Sequence, residues 1–459
     1  MKITARIEFP KKLNAKFKEL KMPIDGGFDE GYDKGYFVGY ENGYVEGNSV
    51  GEENGYKNGY SDGEEMWKTY WLNTGDHFEL PEGMTEIPER MFYQHSSLAT
   101  IDVPETVTKI GQEAFHSCKG LVAFPLNDNI TEIGQYAFYL CENMVVDKFP
   151  QNMAIVNAAT FAACRKARFN YLNNKVTTIG AYAFDGCWEN NIRVIPASVT
   201  SIANGGFGSN RKIKSMTILG KPSMTSSAFG SCTNLKDVYC NFAEGEVANA
   251  PWGATNATVH YNYFKNASGH FVFPEGMFEI PQEIMMGNTA ITDLTIGDEV
   301  AVIDDNAFNG CKNLKKVNFP KDLYFIGAGA FLGCPNLEIS ELPDTVYEIE
   351  NASLAGTKCA LSKLPDNLGK VEVDSFDLCR GNTFTVIPKG VISIGARAFK
   401  ENTGLTELTF EGTPPTNGIA STAFIGCTNL KDIYVPWSEG DVANAPWGTN
   451  ATIHYNSKE

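Results

Sequence analysis

Apolar positions in this chain fall into a recurring block rather than one long period. In V-T-K-I-G-Q-E-A-F-H-S-C-K-G-L, Val107 to Leu121, the apolar residues are Val107, Ile110, Ala114, Phe115, Cys118 and Leu121. The block returns as I-T-E-I-G-Q-Y-A-F-Y-L-C-E-N-M at Ile130 to Met144 and as V-A-V-I-D-D-N-A-F-N-G-C-K-N-L at Val300 to Leu314. Between blocks, Leu314-Lys315-Lys316-Val317-Asn318-Phe319-Pro320 alternates apolar and polar, which predicts a short strand that Pro320 ends. The spacing of Ile303, Ala307, Phe308 and Cys311 predicts a brief helical or irregular turn forming the opposite wall of the core.

The block aromatic recurs at Phe92, Phe115, Phe138, Phe161, Phe184, Phe207 and Phe229. It continues through the equivalent Met285 to Phe308, Phe331, Leu354, Phe376, Phe399 and Phe424, nearly every step being 22 or 23 residues. Self-similarity at such a period predicts a solenoid in which each unit buries its apolar side against its neighbours, with the equivalent phenylalanines stacked as a spine. The array is itself duplicated. Phe78-Glu79-Leu80-Pro81-Glu82-Gly83-Met84 opens the first copy, and Phe271-Val272-Phe273-Pro274-Glu275-Gly276-Met277 opens the second. Both close on A-N-A-P-W-G, with Trp252 and Trp447 expected as lids on the last coil. The expected fold is an α/β-type repeat solenoid of short parallel strands in two tandem seven-unit arrays. They span residues 77–262 and 270–459, with a junction at 263–269.

A different pattern precedes the arrays. Residues 1–24 are basic, and Leu13, Phe17 and Leu20 fall on one helical face, which suggests either a docking segment for an acidic partner or a frayed terminus. In residues 25–76, glycines stand at a strict four-residue spacing from Gly27 to Gly63, and Tyr32, Tyr36, Tyr40, Tyr44, Tyr56 and Tyr60 each follow one. Each glycine inside a lone helix costs about 1 kcal/mol. So regular a spacing therefore suggests close packing between chains: an oligomerising stalk rather than a flexible linker.

The net charge of −17 argues against a general nucleic-acid binder. No apolar run is long enough to span a bilayer. The start lacks the apolar core of a secretory signal and the end carries no anchor, so the expectation is assembly in the cytoplasm. Of the 11 cysteines, Cys118, Cys141, Cys164, Cys187, Cys232, Cys311, Cys334, Cys379 and Cys427 all lie three residues after the block aromatic. One slot shared by so many units reads as reduced core thiols rather than a disulfide framework. CxxC pairs, P-loops and H-E-x-x-H are absent, and neither an enzyme nor a cofactor is expected. His260 and His454 occupy the same place in the two end pieces, which favours a structural role over catalysis.

What remains is the strand face. Its outward positions change from unit to unit: Thr100 and Asp102, Ser215 and Thr217, Asp293 and Thr295, Lys316 and Asn318, Glu407 and Thr409. These are the candidate binding residues, set against the plain alternative of a solvated polar sheet face.

The I-G-x-x-A-F-x-x-C-x-x-L core, as in Ile133-Gly134-Gln135-Tyr136-Ala137-Phe138-Tyr139-Leu140-Cys141, resembles the BspA-like leucine-rich repeat family over about residues 77–456. The resemblance implies curved solenoids with a strand sheet on one face, used in adhesion and in protein or glycan recognition, and in many members exported to the cell surface. The Gly-Tyr repeat and the A-N-A-P-W-G closures also look like repeat proteins encoded among phage and prophage tail genes. That likeness implies a virion tail protein assembled in the host cytoplasm. It would meet a tail or baseplate protein through the N-terminal segment, form a homo-oligomer and bind a bacterial surface protein or glycan. The alternatives are a bacterial surface adhesin and an intracellular interaction scaffold.

Overall fold

The computed structural model describes residues 76–457 except 81. The basic 1–24 segment and the Gly-x-x-x segment up to residue 75 lie outside the described residues.

Each coil carries two strand positions. One is the expected alternating strand, such as Lys316–Asn318 or Ser215–Ile218. The other is a two-residue strand at the isoleucine of the repeat, such as Lys109–Ile110 or Val302–Ile303, where an irregular wall was expected. Two residues are too few for any alternation to show in sequence. Strands pair in parallel with their equivalents one coil away. Glu86 and Ile87 lie opposite Lys109 and Ile110, which lie opposite Glu132 and Ile133. The longest such sheet runs over six coils, from Glu279–Ile280 to Ser393–Ile394.

Of the expected helical or irregular turn, the irregular form occurs, and the α/β label is loose: no helix occurs among the described residues. The block from Gly111 to Cys118 is a chain of tight turns, because residues two before and two after the phenylalanine adopt left-handed backbone angles. Glu113 has φ 53° and Ser117 φ 61°, and Tyr136 and Leu140 repeat this at 56° and 61°. Left-handed residues interrupt the run of right-handed angles that a helix requires. The amide hydrogen bonds then alternate in destination. Those of Glu113, Phe115 and Ser117 donate to the next coil, to Gln135, Ala137 and Tyr139 oxygens at 2.9, 2.7 and 2.7 Å. Those of Ala114, His116 and Cys118 close back on Gly111, Glu113 and Phe115 at 3.4, 3.0 and 3.1 Å. The turn thus satisfies its buried amides while extending the stack as a sheet would.

Inside, the phenylalanine spine is as expected. Phe92, Phe115, Phe138 and Phe161 stack at centroid distances of 5.1, 5.2 and 5.6 Å with planes within 12°. Phe308 and Phe331 repeat the contact at 5.2 Å, and Phe376, Phe399 and Phe424 at 5.3 Å for each pair. Leu354 interrupts the aromatic run between Phe331 and Phe376. The spacing follows from coils stacked like parallel strands, about 4.8 Å apart. Coils this close leave no room for a Cβ at the repeat's I-G glycine. At Gly180 one would sit 2.7 Å from the Ala158 amide nitrogen.

The chain divides into two compact units between Tyr261 and Asn262. In each, the closing tryptophan is wholly buried and continues the ladder in place of another coil. The Phe229 amide donates to the Trp252 carbonyl at 2.8 Å, and Phe424 to Trp447 at 3.0 Å. Their indole N–H groups donate to the Ala248 and Ala443 carbonyls at 2.7 and 2.9 Å. Within 263–269, Phe264 is buried in the second unit, 6.1 Å from Phe271 and 5.9 Å from Phe273 between ring centroids.

Candidate binding surface

The solenoid sets its outward strand residues in columns, because each strand pairs in register with the one before it. His77, Glu79, Thr100 and Asp102 form a first cluster, with His77 opposite Thr100 and Glu79 opposite Asp102. His77 Nδ1 lies 2.8 Å from Thr100 Oγ1, and His77 Nε2 is 3.5 Å from the Asp102 carboxylate. In the second unit Asp293 pairs with Lys316 and Thr295 with Asn318, whose amide donates to the Thr295 hydroxyl at 3.2 Å. Glu407 and Thr409 lie opposite Asp432 and Tyr434, and Ser215 and Thr217 opposite Asp237 and Tyr239. Nine of the ten candidate positions are at least partly open to solvent. Thr217 is the exception at 1 % exposure, flanked in register by Val194 and Tyr239, and it cannot belong to a contact ridge.

Sequence reasoning missed a further cluster on the same face. On the last two strands of the first unit, Tyr239 stacks on His260 at 5.0 Å, and His260 Nε2 lies 2.9 Å from the Asp237 carboxylate. The second unit repeats it: Tyr434 stacks on His454 at 4.5 Å, with His454 Nε2 2.8 Å from Asp432. The signal was present in the duplicated end pieces, but the histidines were read alone. Aspartate and tyrosine sit one coil earlier, 22 and 20 residues before His454.

The cysteines belong to the core rather than the surface. All 11 are free and buried. Burial pushes the Cys232 thiol up to about 11 and those of Cys240 and Cys427 to about 12, so at neutral pH they hold their protons and are poor nucleophiles. Each thiol of the repeated slot donates to the carbonyl of the block aromatic one coil back, as from Cys141 to Phe115 and Cys164 to Phe138, both at 3.0 Å. Asn210 and Asn402 fill the same slot in other coils and donate to Phe184 and Phe376 carbonyls at 2.9 and 2.7 Å. The slot therefore selects a small buried donor. Among the described residues no group of three or more His, Cys, Asp or Glu could hold a metal ion.

A regular solenoid with a variable polar face offers a surface for recognition. Residues 70–187, 155–250, 241–360 and 369–444 match the BspA type leucine rich repeat region, in six copies. The chain belongs to this family. BspA-type repeats form a protein-interaction fold, and the protein accordingly has a binding or structural role. Among solved structures, a leucine rich cell surface protein from Faecalibacterium prausnitzii shares 21 % identity over 74 % of this chain and 89 % of its own, with a TM-score of 0.33. The pneumococcal vaccine antigen PcpA shares 16 % over 84 % of this chain and 89 % of its own, TM-score 0.30. A leucine-rich repeat protein from Bacteroides ovatus shares 18 % over 83 % and 91 %, TM-score 0.26. Comparison with curated proteins finds no significant match.

Proposed function

We propose that this BspA-type protein is a non-enzymatic adhesin that recognises a bacterial surface protein or glycan through its solenoid, carried in a phage tail by its N-terminal segment. The observation that carries the reading is the contrast between a repetitive interior and a varied exterior. The aromatic and donor slots recur in nearly every coil, while the outward strand positions change from Thr100 and Asp102 to Lys316 and Asn318 to Glu407 and Thr409. A scaffold of this kind holds many weak polar contacts rigidly, and rigid display limits the ordering cost of binding. The Gly-x-x-x segment would bring several solenoids together and raise avidity.

The test is binding of fluorescently labelled full-length protein to a panel of intact bacteria, beside a form lacking residues 1–76. Strain-restricted binding that weakens in the shortened form is the expected result. Binding to no strain would overturn surface recognition. Strain-restricted binding by a protein encoded beside surface-export genes, rather than tail and lysis genes, would assign it to the bacterial cell surface instead.

A further inference from the structure

The second unit carries an aromatic feature that the first lacks. Two residues before the repeat's isoleucine, the first unit places threonines: Thr108 and Thr131 donate to the carbonyls of Thr85 and Thr108 at 3.3 and 3.2 Å. At the same position the second unit has Tyr324 and Tyr347. Their rings are parallel within 4° at a centroid distance of 5.4 Å, and Tyr324 is 51 % exposed. The next coil has Gly369 there, and the Tyr347 ring occupies the space its Cβ would take. The rings border an open groove of about 570 Å³ that reaches across four coils to Lys389 and Gly390. Asp322, Asp366, Asn367 and Lys389 line it.

We propose that this groove binds a pyranose segment of a glycan, with a sugar C–H face lying on the exposed Tyr324 ring, which the stacked Tyr347 ring holds in place, and the groove's polar side chains meeting its hydroxyl groups. The inference deepens the recognition reading and rests on it. Aromatic faces carry negative charge density and attract the weakly positive C–H face of a sugar ring. A sugar is amphipathic in just this way, apolar on one face with hydroxyls round its rim. The volume falls within the range of about 300–1,000 Å³ usual for small-ligand sites. An extended peptide fits less well, because the backbone here has no free edge. The Tyr324, Tyr347 and Gly369 amides already donate to Ala301, Tyr324 and Tyr347 carbonyls at 2.8, 2.9 and 2.8 Å. Asp366 is held by Lys363 at 2.8 Å, while Asp322, Asn367 and Lys389 remain exposed at the groove.

The experiment is isothermal titration of the full-length protein with five soluble hexasaccharides. They are β-1,4-glucose, β-1,4-mannose, α-1,4-glucose, β-1,3-glucose and β-1,4-N-acetylglucosamine. At least one should bind, and Tyr324→Ala should weaken it about tenfold or more, the order expected for one lost ring contact. Tyr324→Phe should stay within about threefold, since the stacking face is kept. Gly369→Ala, which displaces the Tyr347 ring without touching the ligand, should also weaken it. An unchanged unfolding midpoint for Tyr324→Ala would exclude a folding defect. Binding of none of the five, or equal binding by Tyr324→Ala, would overturn the site, as would a proline-rich peptide that binds where no sugar does. If Tyr324→Ala binds intact bacteria as well as the parent does, the glycan groove is wrong while the broader recognition reading stands.

Discussion

At the scale of single residues, the cysteine slot decides between two accounts of the same side chain. As a small apolar filler, Cys164 contributes only packing, and alanine should replace it better than serine. As a donor to Phe138 O at 3.0 Å, it satisfies a carbonyl whose other partner is the Cys141 amide at 3.1 Å. A buried hydrogen bond of this kind contributes about 0.5–1.5 kcal/mol. Cys164→Ala should then lower stability by about that amount more than Cys164→Ser does, measured by urea unfolding. The reverse order would return the slot to simple packing. The sequence shows the slot's position but not its chemistry, since a thiol reads first as a small hydrophobe. Asn210 and Asn402 in the same column were the available clue, because an amide is buried only with partners. Tyr324 and Tyr347 went unnoticed for a related reason. They stand 23 residues apart, and their pairing emerges only when the units are aligned and two rings appear at a position the first unit fills mostly with threonine.

At the scale of the element, residue type and period made the phenylalanine spine and the alternating strands readable. The two-residue strands and the turn conformation were not. Positive φ is marked by glycine in some coils, as at Gly186, Gly310, Gly333 and Gly426, but not at Glu113, Tyr136 or Leu140, where the next coil holds the conformation through the Phe115 and Phe138 amides. The I-G glycine answers a different demand, separation between coils rather than φ. Gly180→Ala would push a methyl group against the Ala158 amide, and one coil must shift from its neighbour to accept it. Overpacking of this type costs about 1–3 kcal/mol. The urea midpoint of Gly180→Ala should fall accordingly. A midpoint equal to that of the parent would mean the coils part more easily than their backbone hydrogen bonds suggest.

At the scale of the whole molecule, a solenoid distributes damage differently from a compact domain. Each coil touches only its neighbours, so stability is a sum of unit terms and interface terms. Phe331 stacks on Phe308 at 5.2 Å and packs edge-on against Phe319 at 5.8 Å, and its loss empties one section of the core without reaching distant coils. Phe331→Ala should cost about 3–5 kcal/mol, the usual loss for a buried phenylalanine. Hydrogen exchange reads where that loss falls. Amides of the coils flanking the cavity, including Phe308 and Phe331, should lose protection first, since local opening no longer breaks a full spine. Amides of the Phe399 and Phe424 coils, which keep their own stack at 5.3 Å, should retain most of theirs. A uniform drop across the second unit would instead show that it opens as one cooperative body. Its binding surface would then behave as a single rigid plate rather than as a row of separable coils.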